Sequence, residues 1–205
     1  MLKLFGQARS RASRSLWMLE EIGVPYEHVP VRPYTESRSA EYLRVNPNGH
    51  IPSLEDDGFI LWESLAINMY LAETYAEAPL WPAGAKDHAR VYQWSLWATN
   101  EIEPRIVSIA KGLSKKSPDP SAVTVGLEQL CAALRILEGR LHGPYLLGEA
   151  FTVGDLNLAS ILREPGEDGI SGISTIDLAP FPNVARWLDC CSARPANRRV
   201  GSFVD

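Results

Sequence analysis

The chain has 205 residues, a formal net charge of −5 and 45% hydrophobic residues. This length can bury a sizeable core, in one large domain or two small ones. The negative charge argues against nucleic acid as the main partner. No apolar run approaches the roughly 20 residues of a membrane-spanning helix, and no charged-then-apolar leader precedes the chain, so we expect a cytoplasmic protein that does not contact membranes.

The three cysteines, Cys131, Cys190 and Cys191, have neither metal-ligand spacing nor a disulfide framework. This pattern is typical of a reducing compartment and predicts no metal site.

The first 31 residues have the pattern of a strand, a helix and a second strand. Alternating leucines predict a short first strand, and a polar loop follows. An apolar stripe predicts a helix that ends at Gly23, with Glu20 and Glu21 on its solvent-facing side. Residues 26 to 31 alternate as a second strand. This order predicts a parallel strand pair with a crossover helix.

A short helical segment is predicted within residues 32 to 45, and a hairpin follows. Asn48-Gly49 is a turn signal, and the apolar runs 51–54 and 59–62 flank Asp57-Gly58 in the pattern of a hairpin. Pro52 donates no ladder hydrogen bond, so at the start of a strand its backbone should face a ligand or a turn. A cis peptide bond between Ile51 and Pro52 would achieve this.

A second helix is predicted to open at Glu63-Ser64, with Ser64 as its cap or first residue. The free N–H groups at such a helix start can hold an anion. With this helix the first part of the chain completes a β-α-β-α-β-β-α unit.

Proline and glycine at residues 80–85 predict a linker between a first domain, 1–79, and an all-helical second domain, 86–205. Pro104 should bend or break the first long helix of the second domain near Glu103. Leucines at three- and four-residue spacing predict an amphipathic helix over 127–141. Thr152 and Asp155 have the spacing of a capping box before another helix. A glycine-rich loop is expected at 166–172.

The stretch from Asn48 to Leu54, followed by Glu63 to Ile67 eleven residues after Pro52, resembles the glutathione-binding half of the glutathione transferases. The resemblance extends to Thr152-Val-Gly-Asp155 and Arg194-Pro195-Ala196. It implies an α/β thioredoxin-like N-terminal domain plus an all-α C-terminal domain. It also implies glutathione as co-substrate without a metal, a hydrophobic electrophilic small molecule as second substrate, a role in detoxification, and a homodimer.

Ser10 is the candidate catalytic residue. The free thiol has a pKa near ~8.5, so the protein must stabilise the thiolate, and one hydroxyl donating to a charged sulfur contributes roughly 1.5 to 3 kcal/mol. Ser10 precedes Arg14 by four residues, which is similar to the serine-type theta and delta classes. The loop contains no tyrosine and no cysteine, which argues against the tyrosine-type and glutaredoxin-like classes. Ser13 is the alternative within the same loop, and an ordinary helix cap is the structural role open to either serine.

The resemblance also implies the residues that bind glutathione. Ile51 and Pro52 would face its extended backbone. Glu63 would pair with the γ-glutamyl ammonium, while the Ser64 hydroxyl and the helix N-terminus take its carboxylate. His50 stands where many relatives have lysine or glutamine, and this departure weakens the contact with the glycine carboxylate. The electrophile pocket would include Asn100, Glu103 and Ile106.

The sequence is compatible with three functions. The first is a serine-type glutathione transferase that adds the thiolate to an electrophilic carbon. The second is a glutathione-dependent isomerase or reductive dehalogenase, although the Ser-Ser-Cys run of the maleylacetoacetate isomerases is absent from the sequence. The third is a non-catalytic interaction module of the same fold. Glu63, Ser64 and Pro52 argue against the third, because a pure scaffold has no chemical need for them.

Overall fold

The structure is a computed structural model that describes residues 1–114, 117–163 and 176–203. The chain forms two compact units, one of Met1–Trp81 with Ala193–Asp205 and the other of Pro82–Ser192. The first unit is a mixed α/β domain and the second is helical, so the predicted fold class is confirmed. The segment after residue 192 clusters with the first unit, whereas the sequence-based division puts all of 86–205 in the second. The expected glycine-rich loop at 166–172 lies outside the described residues.

The first unit contains a four-stranded sheet in the order β2-β1-β3-β4. Its strands are β1 Leu2–Phe5, β2 Tyr26–Val29, β3 Ser53–Asp56 and β4 Phe59–Trp62. Strand β1 runs parallel to β2 and antiparallel to β3, and β3 and β4 form an antiparallel hairpin. Asp57 and Gly58 turn that hairpin with φ values of 46° and 90°. The parallel pair and the hairpin predicted from the sequence are therefore confirmed.

The α-helices of the first unit are α1 Ala12–Ile22, α2 Ser64–Tyr75 and the short α8 Pro195–Val200, and those described in the second unit are α3 Ala85–Trp97, α4 Glu103–Gly112, α5 Pro120–Glu138, α6 Val153–Arg163 and α7 Pro182–Ser192. In the described ranges no helix is both long and apolar enough to cross a membrane. Helix α1 ends as expected, since the N–H of left-handed Gly23 donates to the Leu19 carbonyl at 2.9 Å. The segment predicted to be helical before Asn46 forms two 3₁₀ turns, Glu36–Arg38 and Tyr42–Arg44.

Glu21 does not face solvent, so that part of the prediction for α1 is wrong, and Glu20 is only partly exposed. Arg194 donates to both carboxylate oxygens of Glu21 at 2.7 Å, and the Glu21 side chain is 7% exposed. Arg199 and Tyr26 contact the Glu20 carboxylate. The C-terminal segment returns to cover this face of α1, and its arginines neutralise carboxylates that a helical pattern assigns to water.

In the second unit, α3 and α4 are joined by a π-helical turn, Ala98–Ile102. Pro104 lies in the first turn of α4, where its missing N–H costs little, so the predicted break near Glu103 is confirmed. Helix α5 buries Leu130, Leu134 and Leu137 in the core of the unit, as the leucine spacing predicts.

The start of α6 is fixed by the Asp155 carboxylate. It accepts the Thr152 N–H at 2.9 Å, as in a capping box. In a capping box the threonine hydroxyl accepts from a helix N–H, but the Thr152 hydroxyl instead donates to the same carboxylate at 2.9 Å. Leu146 N–H and Trp187 Nε1 also donate to it, at 2.7 and 2.9 Å. The buried carboxylate thus joins α6 to α7 and to the loop before α6.

Candidate active site

Three segments of the first unit meet where β1 ends. A Cβ placed on Gly6 would lie 2.8 Å from the Ala12 Cβ, 3.4 Å from the Ile51 Cβ and 3.5 Å from the Pro52 Cα. The loop that begins at Gly6 therefore passes between the start of α1 and the segment before β3. A Cβ at this position would clash with Ala12 and touch Ile51 and Pro52 at van der Waals distance, and the φ of 146° suits glycine.

Helix α2 begins beside the same end of α1. Arg14 Nη1 lies 3.5 Å from Ser64 Oγ, and Ser15 Oγ donates to the Ser64 carbonyl at 3.4 Å. Arg14 and Ser64 are both buried, with 2% and 6% exposure. The structure thus brings the Ser10 loop, residues 50 to 52 and the N-terminus of α2 into one region of the first unit.

Ser10 lies in the turn before α1 and is half-buried. Its hydroxyl donates to the Gln7 carbonyl at 2.6 Å and accepts the Ala12 N–H at 3.1 Å. The single hydroxyl proton is therefore directed into the loop, in the manner of a local serine turn. The hydroxyl would have to rotate away from Gln7 before it could donate to a thiolate.

Ser13 lies in the first turn of α1 and is also half-buried. Its backbone N–H donates to the Ser10 carbonyl at 2.9 Å. Its hydroxyl makes no hydrogen bond within the described part of the chain. The Ser13 proton is therefore free to be donated, whereas that of Ser10 is in use.

Ile51 and Pro52 precede β3, which begins one residue after Pro52. The peptide bond between them is cis, as the sequence suggested. Neither the N–H nor the carbonyl of Ile51 has a hydrogen-bond partner among residues 1–114, 117–163 and 176–203. An extended peptide could exchange main-chain hydrogen bonds with this residue.

Glu63 and Ser64 occupy the N-terminus of α2 as predicted, with Ser64 as the first helical residue. Glu63 is exposed and adopts a φ of 75°, which is unusual for a residue with a Cβ. Its carbonyl accepts the Ile67 N–H at 2.9 Å, so the helix starts directly after the strained residue. The first N–H groups of a helix lack intrahelical partners and attract anions. A carboxylate can therefore bind beside the Ser64 hydroxyl.

His50 has an exposed side chain, whereas its carbonyl is held by buried donors. Tyr42 and Asn46 both donate to this carbonyl, each at 2.8 Å. Burial raises the pKa of Tyr42, so its phenol stays protonated as a donor.

The sequence analysis used Arg14 only to place Ser10, and it assigned no role to Tyr42 or Asn46. A binding role for Arg14 could have been inferred from its position as a cation in the apolar-patterned helix α1. No sequence pattern indicates the role of Tyr42, because its hydrogen bond to the His50 carbonyl depends on how the two 3₁₀ turns fold back. Within the described ranges no group of three or more His, Cys, Asp or Glu is arranged to hold a metal ion.

The fold and this region define a thioredoxin-like domain with a candidate peptide-binding segment before β3, next in sequence to a helical domain. The family model described as the N-terminal domain of glutathione S-transferase matches residues 1–73, and that of the C-terminal domain matches residues 104–195. The chain belongs to the glutathione S-transferase family, a family of enzymes, and the predicted family is confirmed.

Relatives match over nearly the whole chain. Glutathione S-transferase GstB of Escherichia coli K12 is 31% identical over 98% of this chain and 97% of its own length. The theta class glutathione S-transferase of Xanthomonas axonopodis pv. citri, solved with glutathione bound, has a TM-score of 0.85 at 27% identity and covers 99% of this chain and 98% of its own. A glutathione transferase of Burkholderia graminis, solved with two glutathione molecules per subunit, has a TM-score of 0.84 at 29% identity, covering 97% and 86%.

Proposed function

We propose that this protein is a serine-type glutathione transferase, which stabilises the glutathione thiolate through a hydroxyl of the α1 loop for attack on an electrophilic carbon. The observation that carries the proposal is that the main-chain N–H and carbonyl of Ile51 have no hydrogen-bond partner among the described residues and lie beside Gly6, at the start of that loop. An extended tripeptide that bonds to Ile51 has its cysteine next to the segment that carries Ser10. The glutathione-bound relatives support glutathione as that tripeptide.

The γ-glutamyl end would bind at the start of α2. The Ser64 hydroxyl and the free N–H groups of the first turn take its carboxylate, and the buried Arg14 guanidinium beside Ser64 adds positive potential. Glu63, exposed at the same helix start, pairs with the ammonium. His50, exposed before Ile51, donates one imidazole hydrogen bond to the glycine carboxylate.

Ser10 would supply the hydrogen bond to the thiolate. Donation to a charged acceptor contributes roughly 1.5 to 3 kcal/mol, but the hydroxyl must leave the Gln7 carbonyl, a neutral hydrogen bond of about 0.5 to 1.5 kcal/mol. The net preference for the anion is about 1 kcal/mol, or slightly less than one pKa unit. The helix start at α1 adds about 0.3 to 1 kcal/mol in the same direction. Ser13 is the second candidate, because its hydroxyl makes no hydrogen bond to any residue that the structure describes.

The test combines calorimetric titration with glutathione and a conjugation assay on an activated aryl chloride. Binding together with conjugation is the expected result. Binding without conjugation would favour a glutathione-dependent isomerase or dehalogenase that needs another substrate. A chain that binds no glutathione would be a non-catalytic module of this fold.

We also infer a homodimer, with a location in the cytoplasm and a role in detoxification as the resemblance implies. Support for the dimer comes from β4, whose Phe59, Ile60 and Trp62 are all exposed at the sheet edge. Exposed apolar clusters mark protein interfaces. Light scattering on the parent and on Trp62→Glu would test this, since the charge should shift the population to monomers. Monomeric parent protein would contradict the dimer.

A further inference from the structure

Two buried side chains converge on the His50 carbonyl, immediately before the candidate peptide-binding residue Ile51. The Tyr42 hydroxyl and the Asn46 Nδ2 each lie 2.8 Å from this oxygen. Tyr42 is 5% exposed and Asn46 is 2% exposed. One carbonyl with two buried donors is thus satisfied at both lone pairs.

The direction of each hydrogen bond follows from the donor inventory. Tyr42 has one hydroxyl proton, and it goes to the His50 carbonyl because a carbonyl can only accept. Ser53 Oγ lies 2.9 Å from the Tyr42 oxygen, so Ser53 is the donor in that pair. The Asn46 Oδ1 accepts two hydrogen bonds from Asn48, one from its backbone N–H at 3.0 Å and one from its side-chain Nδ2 at 3.1 Å. The Asn46 Nδ2 is therefore the atom that faces His50.

This network determines where the Ile51 N–H points. The His50–Ile51 peptide bond is planar and trans, so its N–H is antiparallel to its carbonyl. Because the carbonyl is directed at Tyr42 and Asn46 in the interior, the N–H is directed away from them. That N–H has no hydrogen-bond partner in the described part of the chain.

We propose that Tyr42 and Asn46 are positioning residues for glutathione, which hold the His50–Ile51 peptide plane so that the Ile51 N–H meets the tripeptide backbone in the correct direction. The inference rests on the proposed function, and it adds residues that do not themselves contact glutathione. Ser53, in β3, donates to the Tyr42 oxygen, and this hydrogen bond anchors the binding segment to the sheet.

The test is Tyr42→Phe, which keeps the ring and its edge contact with Phe5 but removes the hydroxyl. The His50 carbonyl then keeps only Asn46, and the Ile51 peptide can rotate. We expect the KM for glutathione, and the dissociation constant by calorimetry, to rise about 3-fold to 10-fold, with kcat at saturating glutathione changed less than about 2-fold. The NMR signal of the Ile51 amide should shift in the ligand-free variant.

Tyr75→Phe is the matched control, since it also removes a tyrosine hydroxyl, one that donates to Asp56 near the far end of α2. Its KM for glutathione should equal that of the parent. A Tyr42→Phe enzyme with an unchanged KM for glutathione would overturn the positioning role. A fall in kcat without a change in KM would also overturn it, because it would mean that the hydroxyl contributes to folding stability rather than to glutathione binding. A parent that binds no glutathione would refute the proposed function, and the Ile51 amide shift would still decide whether Tyr42 orients that peptide.

Discussion

Arg105 replaces a helical hydrogen bond that Pro104 cannot make. In a continuous helix the N–H of residue 104 would donate to the carbonyl of Asn100, four residues earlier, but proline has no N–H. Arg105 Nη1 instead donates to that carbonyl at 2.7 Å, and Arg105 Nη2 lies 2.9 Å from Glu101 Oε2. A side chain therefore satisfies the carbonyl that the proline leaves without its helical donor, while the Glu103 N–H donates to the Ala98 carbonyl within the π-helical turn.

Arg105→Met should destabilise the protein by about 1 to 2 kcal/mol, since it removes a charge-assisted hydrogen bond and leaves the Asn100 carbonyl without this donor. Urea unfolding measures the change. The control is Arg90→Met, which breaks an exposed ion pair with Asp87 and should cost less than about 0.5 kcal/mol. Equal losses in the two variants would mean that Arg105 acts only as a surface charge.

Asp155→Ala should lower the free energy of unfolding by more than the loss of an ordinary helix cap does. A cap alone contributes about 0.5 to 2 kcal/mol. Here the carboxylate receives four donated hydrogen bonds from Leu146, Thr152 and Trp187, and burial raises its pKa while those bonds lower it. Leaving these donors unpaired should bring the loss to about 3 to 5 kcal/mol by urea unfolding.

Asp119→Ala provides the comparison for Asp155, because Asp119 caps α5 through one exposed bond to the Ala122 N–H at 3.0 Å. It should lose about 1 kcal/mol. If Asp155→Ala lost no more than this, the contacts of the carboxylate outside its own helix would contribute nothing to stability.

Tyr75 should contribute to stability at neutral pH and lose that contribution in alkali. Its hydrogen bond to Asp56 raises the pKa of Tyr75 from 10.0 to about 12. The folded state therefore holds the proton more tightly than the unfolded state, so the stabilisation is complete below pH 10.0 and is lost as the pH rises through about 12. Unfolding free energies measured across this range should decline more steeply for the parent than for Tyr75→Phe. Parallel pH profiles would refute the coupling.

Local chemistry was enough to predict the hairpin and the start of α2. Asp57-Gly58 supplies the positive φ values that the turn needs, and Ser64 follows a strand at the position where a helix can begin. The turn and the helix start depend on neighbours in sequence, and so the sequence alone can indicate them. The cis peptide before Pro52, which the structure contains, was only one way for the sequence to turn that backbone toward a ligand, because few X-Pro bonds are cis.

Long-range contacts could not be predicted in this way. The Glu21 carboxylate has the helical position of a solvated residue, but Arg194 returns from the other end of the chain to pair with it, and Trp17 Nε1 donates to it at 2.9 Å. The bond from Tyr42 to the His50 carbonyl depends on the path of two 3₁₀ turns, which periodicity does not reveal. For Ser10, the sequence identified the loop but could not indicate that the hydroxyl is already bonded to Gln7.

Glu63→Gln should weaken glutathione binding more than it slows the chemistry. The variant keeps the size of the side chain and removes the charge that would pair with the γ-glutamyl ammonium, so we expect about 10-fold weaker binding with kcat little changed. Glu73→Gln makes the same change on the exposed surface of α2, ten residues further along the chain, and should bind as the parent does. Calorimetry that finds Glu63→Gln and the parent equal would remove Glu63 from the site.

Ser10→Ala should raise the pKa of the bound glutathione thiol by about 0.5 to 1 unit, since the net preference for the anion is about 1 kcal/mol once the bond to Gln7 is exchanged. Glutathione should still bind, because Ile51, Glu63 and Ser64 are untouched. At neutral pH the rate should fall about 3-fold to 10-fold and recover partly in alkali. The measurement is thiolate absorbance against pH in the saturated complex.

The comparison with Ser13→Ala decides between the two hydroxyls. Ser10→Ala also removes the loop bonds to Gln7 and Ala12, so Ser10→Thr, which keeps a hydroxyl, should restore the thiol pKa if donation matters rather than loop shape. An upward shift in Ser13→Ala with none in Ser10→Ala would assign the thiolate to Ser13, whose proton is not engaged in the described structure. In that case Ser10 would serve to hold the turn from which α1 begins, through its bond to the Ala12 N–H.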